Sequence, residues 1–203
     1  MSRIIAGVAR GRRLATPGGR GTRPTSDRTR EALFASVTAA IGGLAGAAVL
    51  DLYAGSGAVG LEALSRGAAD VLLVESDPRA GRVIRANIES LGLPGARLIQ
   101  DRVDRALRRG PGADRPRDFV FADPPYAAGD QEVRDVLVAL AARGWLAPGA
   151  LVVLERDARS GPPAWPAGYV QGQSRRYGET ALWYGHAADD QDDQSAAAAT
   201  TGA

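Results

Sequence analysis

The stretch AAVLDLYAGSGAVGLEALSRG, Ala47–Gly67, decides the fold. It opens on an apolar run without helical period, the mark of a strand buried on both faces. Gly55, Gly57 and Gly60 follow, and the chain then resumes as a helix. Glycines in a G-x-G-x-x-G spacing let the backbone turn tightly and approach a ligand closely. Glu75 ends the next apolar run, 20 residues after Gly55. A carboxylate there accepts two hydrogen bonds from a ribose diol. The competing reading is a glycine turn that only packs helix on strand. Strand, loop, helix and acid standing in register favour a nucleoside-containing cofactor, held by Tyr53, Ala54, Gly55, Ser56, Gly57, Glu75 and Ser76.

Outward from this unit the pattern alternates. DVLLVES, ARLIQD, RDFVFAD and ALVVLER read as strands; PRAGRVIRANIESLG, VDRALRR and DQEVRDVLVALAARG read as helices, the first with Pro78 in its opening turn. Such alternation predicts an α/β, doubly wound, mostly parallel Rossmann-like sheet. GYVQGQSRRYGETALWYG lacks a helical period and predicts two strands around a turn, completing seven strands as an antiparallel hairpin. Upstream, PTSDRTREALFASVTAAI predicts a helix capped by Thr25 or Ser26, with Leu33, Phe34, Val37 and Ile41 on its apolar face. RIIAGVA and RRLAT predict a small hairpin turning at Arg10–Gly11. The expected divisions are a basic arm over 1–24, a catalytic domain over 25–186, and an acidic, Ala-rich disordered tail over 187–203.

Composition narrows the chemistry. Hydrophobic residues make up 45% and charged residues 24%, ordinary for a globular domain. No apolar run approaches the roughly 20 residues of a membrane span, and MSRIIAGVARGRRL lacks a signal-peptide core, so a cytoplasmic protein is expected. The absence of cysteine excludes disulfides, thiolate metal sites and a cysteine nucleophile. With His186 the one histidine, the usual ligand sets for zinc or non-haem iron are missing, and no metal is expected. Catalysis then falls to carboxylates, backbone groups, aromatics or an organic cofactor.

Every one of the 25 basic residues is arginine, which a GC-rich genome explains; their placement says more. Eight lie between Arg3 and Arg30 against the one acid Asp27, while Asp189, Asp190, Asp192 and Asp193 cluster near the end. A basic arm on a neutral body predicts a polyanionic partner. Arg10, Arg12, Arg13, Arg20 and Arg23 are the candidate phosphate contacts, Arg28 a weaker one. Arg30 is likewise a weaker candidate, since the helix it shares with Arg28 can simply present both to solvent.

The glycine motif alone does not separate a dinucleotide from S-adenosylmethionine. Asp51 stands just before the loop, where a carboxylate crowds a pyrophosphate but suits a methionine ammonium. Asp101, followed by Arg102, ends the third strand, in reach of an adenine amino group. Asp123, Pro124, Pro125 and Tyr126 end the fourth strand, and in open α/β sheets such ends form the ligand crevice. An exocyclic base nitrogen is a poor nucleophile because its lone pair is delocalised into the ring. The Asp123 carboxylate and Pro124 carbonyl are two acceptors that would tilt that lone pair toward a methyl donor. The prolines fix φ and carry no competing N–H, and Tyr126 offers a ring for stacking. A plain strand-ending turn is the alternative.

Together RIIAGVARGRRL, TRPTSDRTREALF, VLDLYAGSGAVGLEALSRGA, FADPPY and RRYGET resemble the RsmD-type bacterial 16S ribosomal RNA guanine-N2 methyltransferases, from about Arg3 to Tyr184. The resemblance implies a class I fold, S-adenosylmethionine as cofactor, and a guanine of the small ribosomal subunit as target. It puts Asp51, Gly55 and Gly57 at the methionine side, Glu75 at the ribose, Asp101 at the adenine and Asp123 to Tyr126 at the base. Tyr53 and Arg102 depart mildly from the family pattern. DPPY is shared with adenine-N6 methyltransferases acting on DNA or RNA, which stand as the alternative. A nicotinamide oxidoreductase leaves DPPY unexplained; a non-catalytic RNA-binding chaperone predicts binding without turnover. A monomer is expected, the ribosome supplying the rest of the recognition surface.

Overall fold

The computed structural model describes residues 2–18, 27–125 and 127–189. The proposed cap at Thr25 or Ser26, Arg20, Arg23, Tyr126 and most of the tail lie outside the described residues.

The chain runs β1 (Ser2–Arg3), β2 (Arg13–Leu14), α1 (Asp27–Ile41), β3 (Ala48–Leu52), α2 (Ala58–Ser65), β4 (Asp70–Val74), α3 (Pro78–Leu91), β5 (Ala96–Ile99), α4 (Val103–Arg108), β6 (Arg117–Ala122), α5 (Asp130–Ala142), β7 (Leu146–Asp157), β8 (Tyr169–Tyr177) and β9 (Thr180–Ala187). Seven strands form one sheet in the order β5-β4-β3-β6-β7-β9-β8. The first five of that order are parallel, and β9 runs antiparallel to both β7 and β8. The expected doubly wound sheet and its closing hairpin are present.

Both faces are covered, which is why the central strands carry apolar residues on both sides. On one face Val49, Leu73, Phe121 and Val153 pack with Leu33, Phe34 and Val37 of α1, Val59 and Ala63 of α2 and Ile84 of α3. On the other, Leu50, Leu72, Val120 and Val152 pack with Val103 and Leu107 of α4 and Val133, Leu137 and Leu140 of α5. The chain order reverses at β3, which has β4 on one side and β6 on the other. A parallel sheet opens its ligand crevice at such a switch point, beyond the carboxyl ends of the strands.

The arm packs onto this body. β1 and β2 pair over two positions, Ser2↔Leu14 and Arg3↔Arg13, too little for a hairpin to stand alone in water. Residues 5–10 form the wide connection, rather than a tight turn at Arg10–Gly11, because they lie against α2. Ile4, Ala9 and Leu14 are buried against Leu61 and Leu91, at about 1.5–3 kcal/mol for a large apolar side chain. Glu62, fully buried in α2, accepts from the Ile5 amide at 2.7 Å, the Ala6 amide at 2.9 Å and Arg66 Nε at 2.8 Å.

Arg30 overturns its expectation. It is fully buried, not solvent-facing, and donates to Ser2 Oγ at 2.7 Å, the Arg3 carbonyl at 2.6 Å and Asp27 at 2.9 Å. The helix turns it under the hairpin, where it satisfies backbone that β1 leaves unpaired. Thr29 and Ser36 are buried on the same helix, so its inner face is more polar than the apolar spacing suggested.

Candidate active site

The glycine loop takes the shape its residues permit. Tyr53 has φ 57°, the one non-glycine at positive φ among the described residues, and Gly55 and Gly57 follow at 57° and 77°. Left-handed backbone at a tyrosine is costly and persists only where surrounding structure imposes it. Gly57 caps α2. Gly60 serves packing instead: a Cβ there would fall 2.9 Å from Val71 Cγ1 and 3.2 Å from Asp51 Oδ2, so only glycine lets α2 sit this close to β3 and β4.

Two carboxylates shape the loop from below. Glu75 accepts from the Gly55 amide at 2.8 Å and the Asp77 amide at 2.7 Å. It thereby ties the glycine loop to the start of α3, which Asp77 caps through the Arg79 amide at 2.9 Å. Asp51, 2% exposed, accepts from the Gly60 amide at 2.8 Å. Burial pushes its carboxyl up to about 8, against the Gly60 bond that lowers it, with the Glu75 charge adding to the rise. A buried carboxylate so short of positive charge is suited to a cationic ligand group.

Asp123 follows β6, two residues beyond Phe121, which pairs with Asp51 of β3. Burial pushes its carboxyl well above the usual range, and the charges of Glu155 and Asp51 push it further. Period-2 alternation explains the company. Leu73, Val49, Phe121 and Val153 point to one face, so Glu75, Asp51, Asp123 and Glu155, two residues on, continue that face across four adjacent strands. Asp123, Pro124, Pro125 and Glu155 line one cleft with Asp157, Ser160 and Thr180. The Pro125 carbonyl accepts from the Ala128 amide at 2.8 Å, closing the turn into α5.

Other expected positions are arranged differently. Asp101 accepts from the Arg102 amide at 2.8 Å and pairs with Arg109 at 2.7 Å, so its carboxylate already has cationic company. Arg102 is exposed and pairs with Asp104 at 2.9 Å. Ser76 is exposed, and Ala54 and Ser56 are half-buried in the loop. Arg10, Arg12, Arg13 and Arg28 are all exposed; Arg12 donates to the Ser90 carbonyl.

Sequence reading missed Glu155 and Asn87. Glu155 ends ALVVLE as Glu75 ends VLLVE, a parallel that was readable. Asn87 gave no signal: its role depends on the arm lying over α3, where its Oδ1 accepts from the Ala15 amide at 2.8 Å. A larger depression of about 430 Å³ lies at the opposite end of the strands, lined by Gly46, Ala47, Arg115, Asp118 and Gly149. Its polar groups are engaged structurally: Arg115 holds Asp118 and the Gly46 carbonyl, and Asp118 holds the Ala48 amide. Among the described residues no cluster could hold a metal ion, and no helix is long and apolar enough to cross a membrane.

A family model described as conserved hypothetical protein 95 matches residues 2–186. The chain is 37% identical over 179 residues to ribosomal RNA small subunit methyltransferase D of Escherichia coli K12, spanning 88% of this chain and 86% of that protein. It superposes on the solved structure of yhhF from Escherichia coli with a TM-score of 0.79 and 35% identity, covering 93% of this chain and 99% of the other. A hypothetical protein of Thermus thermophilus superposes with a TM-score of 0.75 and 34% identity, covering 91% and 98%.

Proposed function

The chain belongs to the conserved hypothetical protein 95 family, and from that premise we propose that it methylates the exocyclic N2 of a guanine in 16S ribosomal RNA of the small subunit. S-adenosylmethionine supplies the electrophilic methyl. The observation that carries this reading is the placement of the glycine loop and the Asp-Pro-Pro turn beyond neighbouring strands β3 and β6, around buried Asp51 and half-buried Asp123.

Each residue then has a task. Asp51 faces the methionine ammonium, whose positive charge offsets the cost of ionising a buried acid. Glu75 accepts from the ribose with the lone pairs its two backbone bonds leave open. Gly55 and Gly57 let the loop backbone close over the cofactor, with Tyr53, Ala54 and Ser56 as its wall. Ser76, Asp101 and Arg102 border the adenosine end.

Asp123 and the Pro124 carbonyl accept from the two amino hydrogens of the base, turning the nitrogen lone pair toward the methyl. Tyr126 stacks on the ring. Bound S-adenosylmethionine would give up its methyl with the S–C electrons kept on sulfur, and Asp123 would take one amino proton as the nitrogen forms its new bond and pass it to water. Burial and the neighbouring charges of Glu155 and Asp51 raise that carboxyl, which makes it a stronger base than a solvated carboxylate. Positioning supplies most of the acceleration.

In the arm over 1–24, exposed Arg10, Arg12 and Arg13 are the phosphate contacts, with Arg28 a weaker one; Arg20 and Arg23, outside the described residues, are assigned the same role from the sequence. Residues 25–186 form the catalytic domain and 187–203 an appended tail. The protein acts as a monomer in the cytoplasm.

The test is incubation with labelled S-adenosylmethionine and small subunits from cells lacking the endogenous activity, then digestion to nucleosides. N2-methylguanosine is expected; N6-methyladenosine or no label overturns the reading. Asp123→Ala should abolish transfer with cofactor still bound, and near-normal turnover would remove the Asp-Pro-Pro turn from the mechanism.

A further inference from the structure

Resting on the guanine-N2 reading, we propose that Glu155 determines the base, by accepting the ring N1–H of guanine beside the amino group that Asp123 holds. Asp123 and Glu155 follow Ala122 and Leu154, which are paired in the parallel register of β6 and β7. They are therefore lateral neighbours on strands about 4.8 Å apart. Both continue the face of Phe121 and Val153, and both line the cleft of Pro124 and Pro125. Glu155 is 8% exposed and lines that cleft, so little water separates it from what the cleft holds.

The chemistry of the bases makes this pair selective. Adenine, cytosine and guanine all carry an exocyclic amino group, so one acceptor beside the methyl donor does not tell them apart. Next to that amino group guanine has a ring N–H donor, whereas adenine and cytosine have a ring nitrogen lone pair. Two adjacent carboxylates match two adjacent donors. With adenine or cytosine the second carboxylate would face a lone pair, setting two buried acceptors against each other. The proline turn adds no N–H from Pro124 or Pro125, and Arg156, the cation in the same cleft, is paired with Asp130. A single acidic turn fits any amino-bearing base; the second acid, from the neighbouring strand, restricts the site to guanine.

The test compares guanine with 2-aminopurine, which keeps the 2-amino group but replaces N1–H by a lone pair. Small subunits are reassembled with RNA carrying either base at the nucleotide that the wild-type enzyme labels. Wild type should prefer guanine by about 10- to 100-fold in kcat/KM, the discrimination typical of one well-made base contact. In Glu155→Gln the amide can donate to that lone pair, so the guanine preference should shrink at least about 10-fold. A merely structural role for Glu155 would lower both rates together and leave the ratio intact. Cofactor affinity of the variant, by calorimetry, should match wild type.

An unchanged ratio in Glu155→Gln overturns the proposal and leaves the guanine-N2 reading standing. Wild type that accepts 2-aminopurine within about threefold of guanine, below the discrimination of one base contact, overturns it without any variant. If the wild type labels adenine N6, or labels nothing, both fall.

Discussion

Asn87 Nδ2 lies 2.9 Å from the carbonyl oxygen of Ser56, so a residue of α3 holds the glycine loop from beneath. The other hydrogen-bonding groups of the same amide close on the arm: Nδ2 also donates to the Ala15 carbonyl at 3.0 Å, and Oδ1 accepts from the Ala15 amide at 2.8 Å. Asn87 is 2% exposed. One buried amide therefore joins the N-terminal arm to the glycine loop.

Asn87→Ala should loosen both at once. It strips three hydrogen bonds from a buried setting, where an orphaned polar group costs about 1–3 kcal/mol. The melting temperature should fall by roughly 2–4 °C for each kcal/mol lost. Cofactor affinity should drop several-fold, although Asn87 makes no contact in the cleft of Asp123. Calorimetry and thermal denaturation of the one variant check this; unchanged affinity would confine Asn87 to holding the arm.

Gly7→Ala should lift the arm without touching the glycine loop. A Cβ at Gly7 would fall 1.8 Å from the carbonyl oxygen of Ser65, and φ there is 83°. That oxygen belongs to the backbone of α2 and already accepts the Val8 amide at 2.8 Å, so it cannot retreat. Undocking leaves the buried Glu62 carboxylate without the Ile5 and Ala6 amides. Limited proteolysis should cut the variant between Ser2 and Gly18 under conditions that spare wild type, with cofactor affinity retained. Resistance equal to wild type would show that the docking tolerates a shift.

The sheet was legible because each strand and helix carries its own period, and period needs no knowledge of neighbours. Loop geometry was legible where a local motif dictates it, as in the positive φ of Gly55 and Gly57 and the turn that follows Asp123. What was not legible depends on contacts distant in sequence. Arg30 could not be placed until β1 lay across α1, and Glu62 until residues 5 and 6 lay on α2. Glu155 was within reach: the same two-residue alternation that places Glu75 after Leu73 places it after Val153.

Asp51 gives a pH signature. Its carboxyl is raised to about 8 in the folded chain, against about 3.9 when unfolded. Between those values the unfolded chain has already lost the proton that the folded one keeps. Stability should therefore fall as pH rises from about 4 to 8, and Asp51→Asn, which has no proton to lose, should remove that slope. Cofactor affinity should move oppositely. The ammonium needs the ionised acid, so apparent affinity should rise toward about tenfold per unit as pH climbs to about 8. It should fall beyond that as the ammonium, an α-amino group of pKa about 7.7–8.0, loses its own proton. Titrations of a non-reacting cofactor analogue across roughly pH 6–9 should show a maximum near 8. In Asp51→Asn the acid limb should vanish and affinity should fall; a limb that survives would assign it to another group.

The arm gives an ionic signature. Arg10 and Arg13 are exposed, and neither has a hydrogen bond or ion pair from its side chain among the described residues, whereas Arg12 donates to the Ser90 carbonyl. Arg10 and Arg13 are thus the pair from which to measure phosphate contact. Each such contact releases about 0.7–0.9 condensed cation, which sets the slope of log affinity against log salt. Arg10→Ala with Arg13→Ala should flatten the slope for small-subunit binding by about 1.4–1.8, and weaken binding most at low salt. The stability of the fold should hardly change, since surface substitutions away from packed features stay within about 0.5 kcal/mol. Cofactor affinity should be untouched, because neither side chain reaches the glycine loop. Arg12→Ala mixes packing with charge: it should cost stability through the lost Ser90 bond as well as flatten the slope. A double variant that binds with the wild-type slope would return Arg10 and Arg13 to ordinary solvated surface and move the polyanion contact to Arg12, Arg20, Arg23 or Arg28.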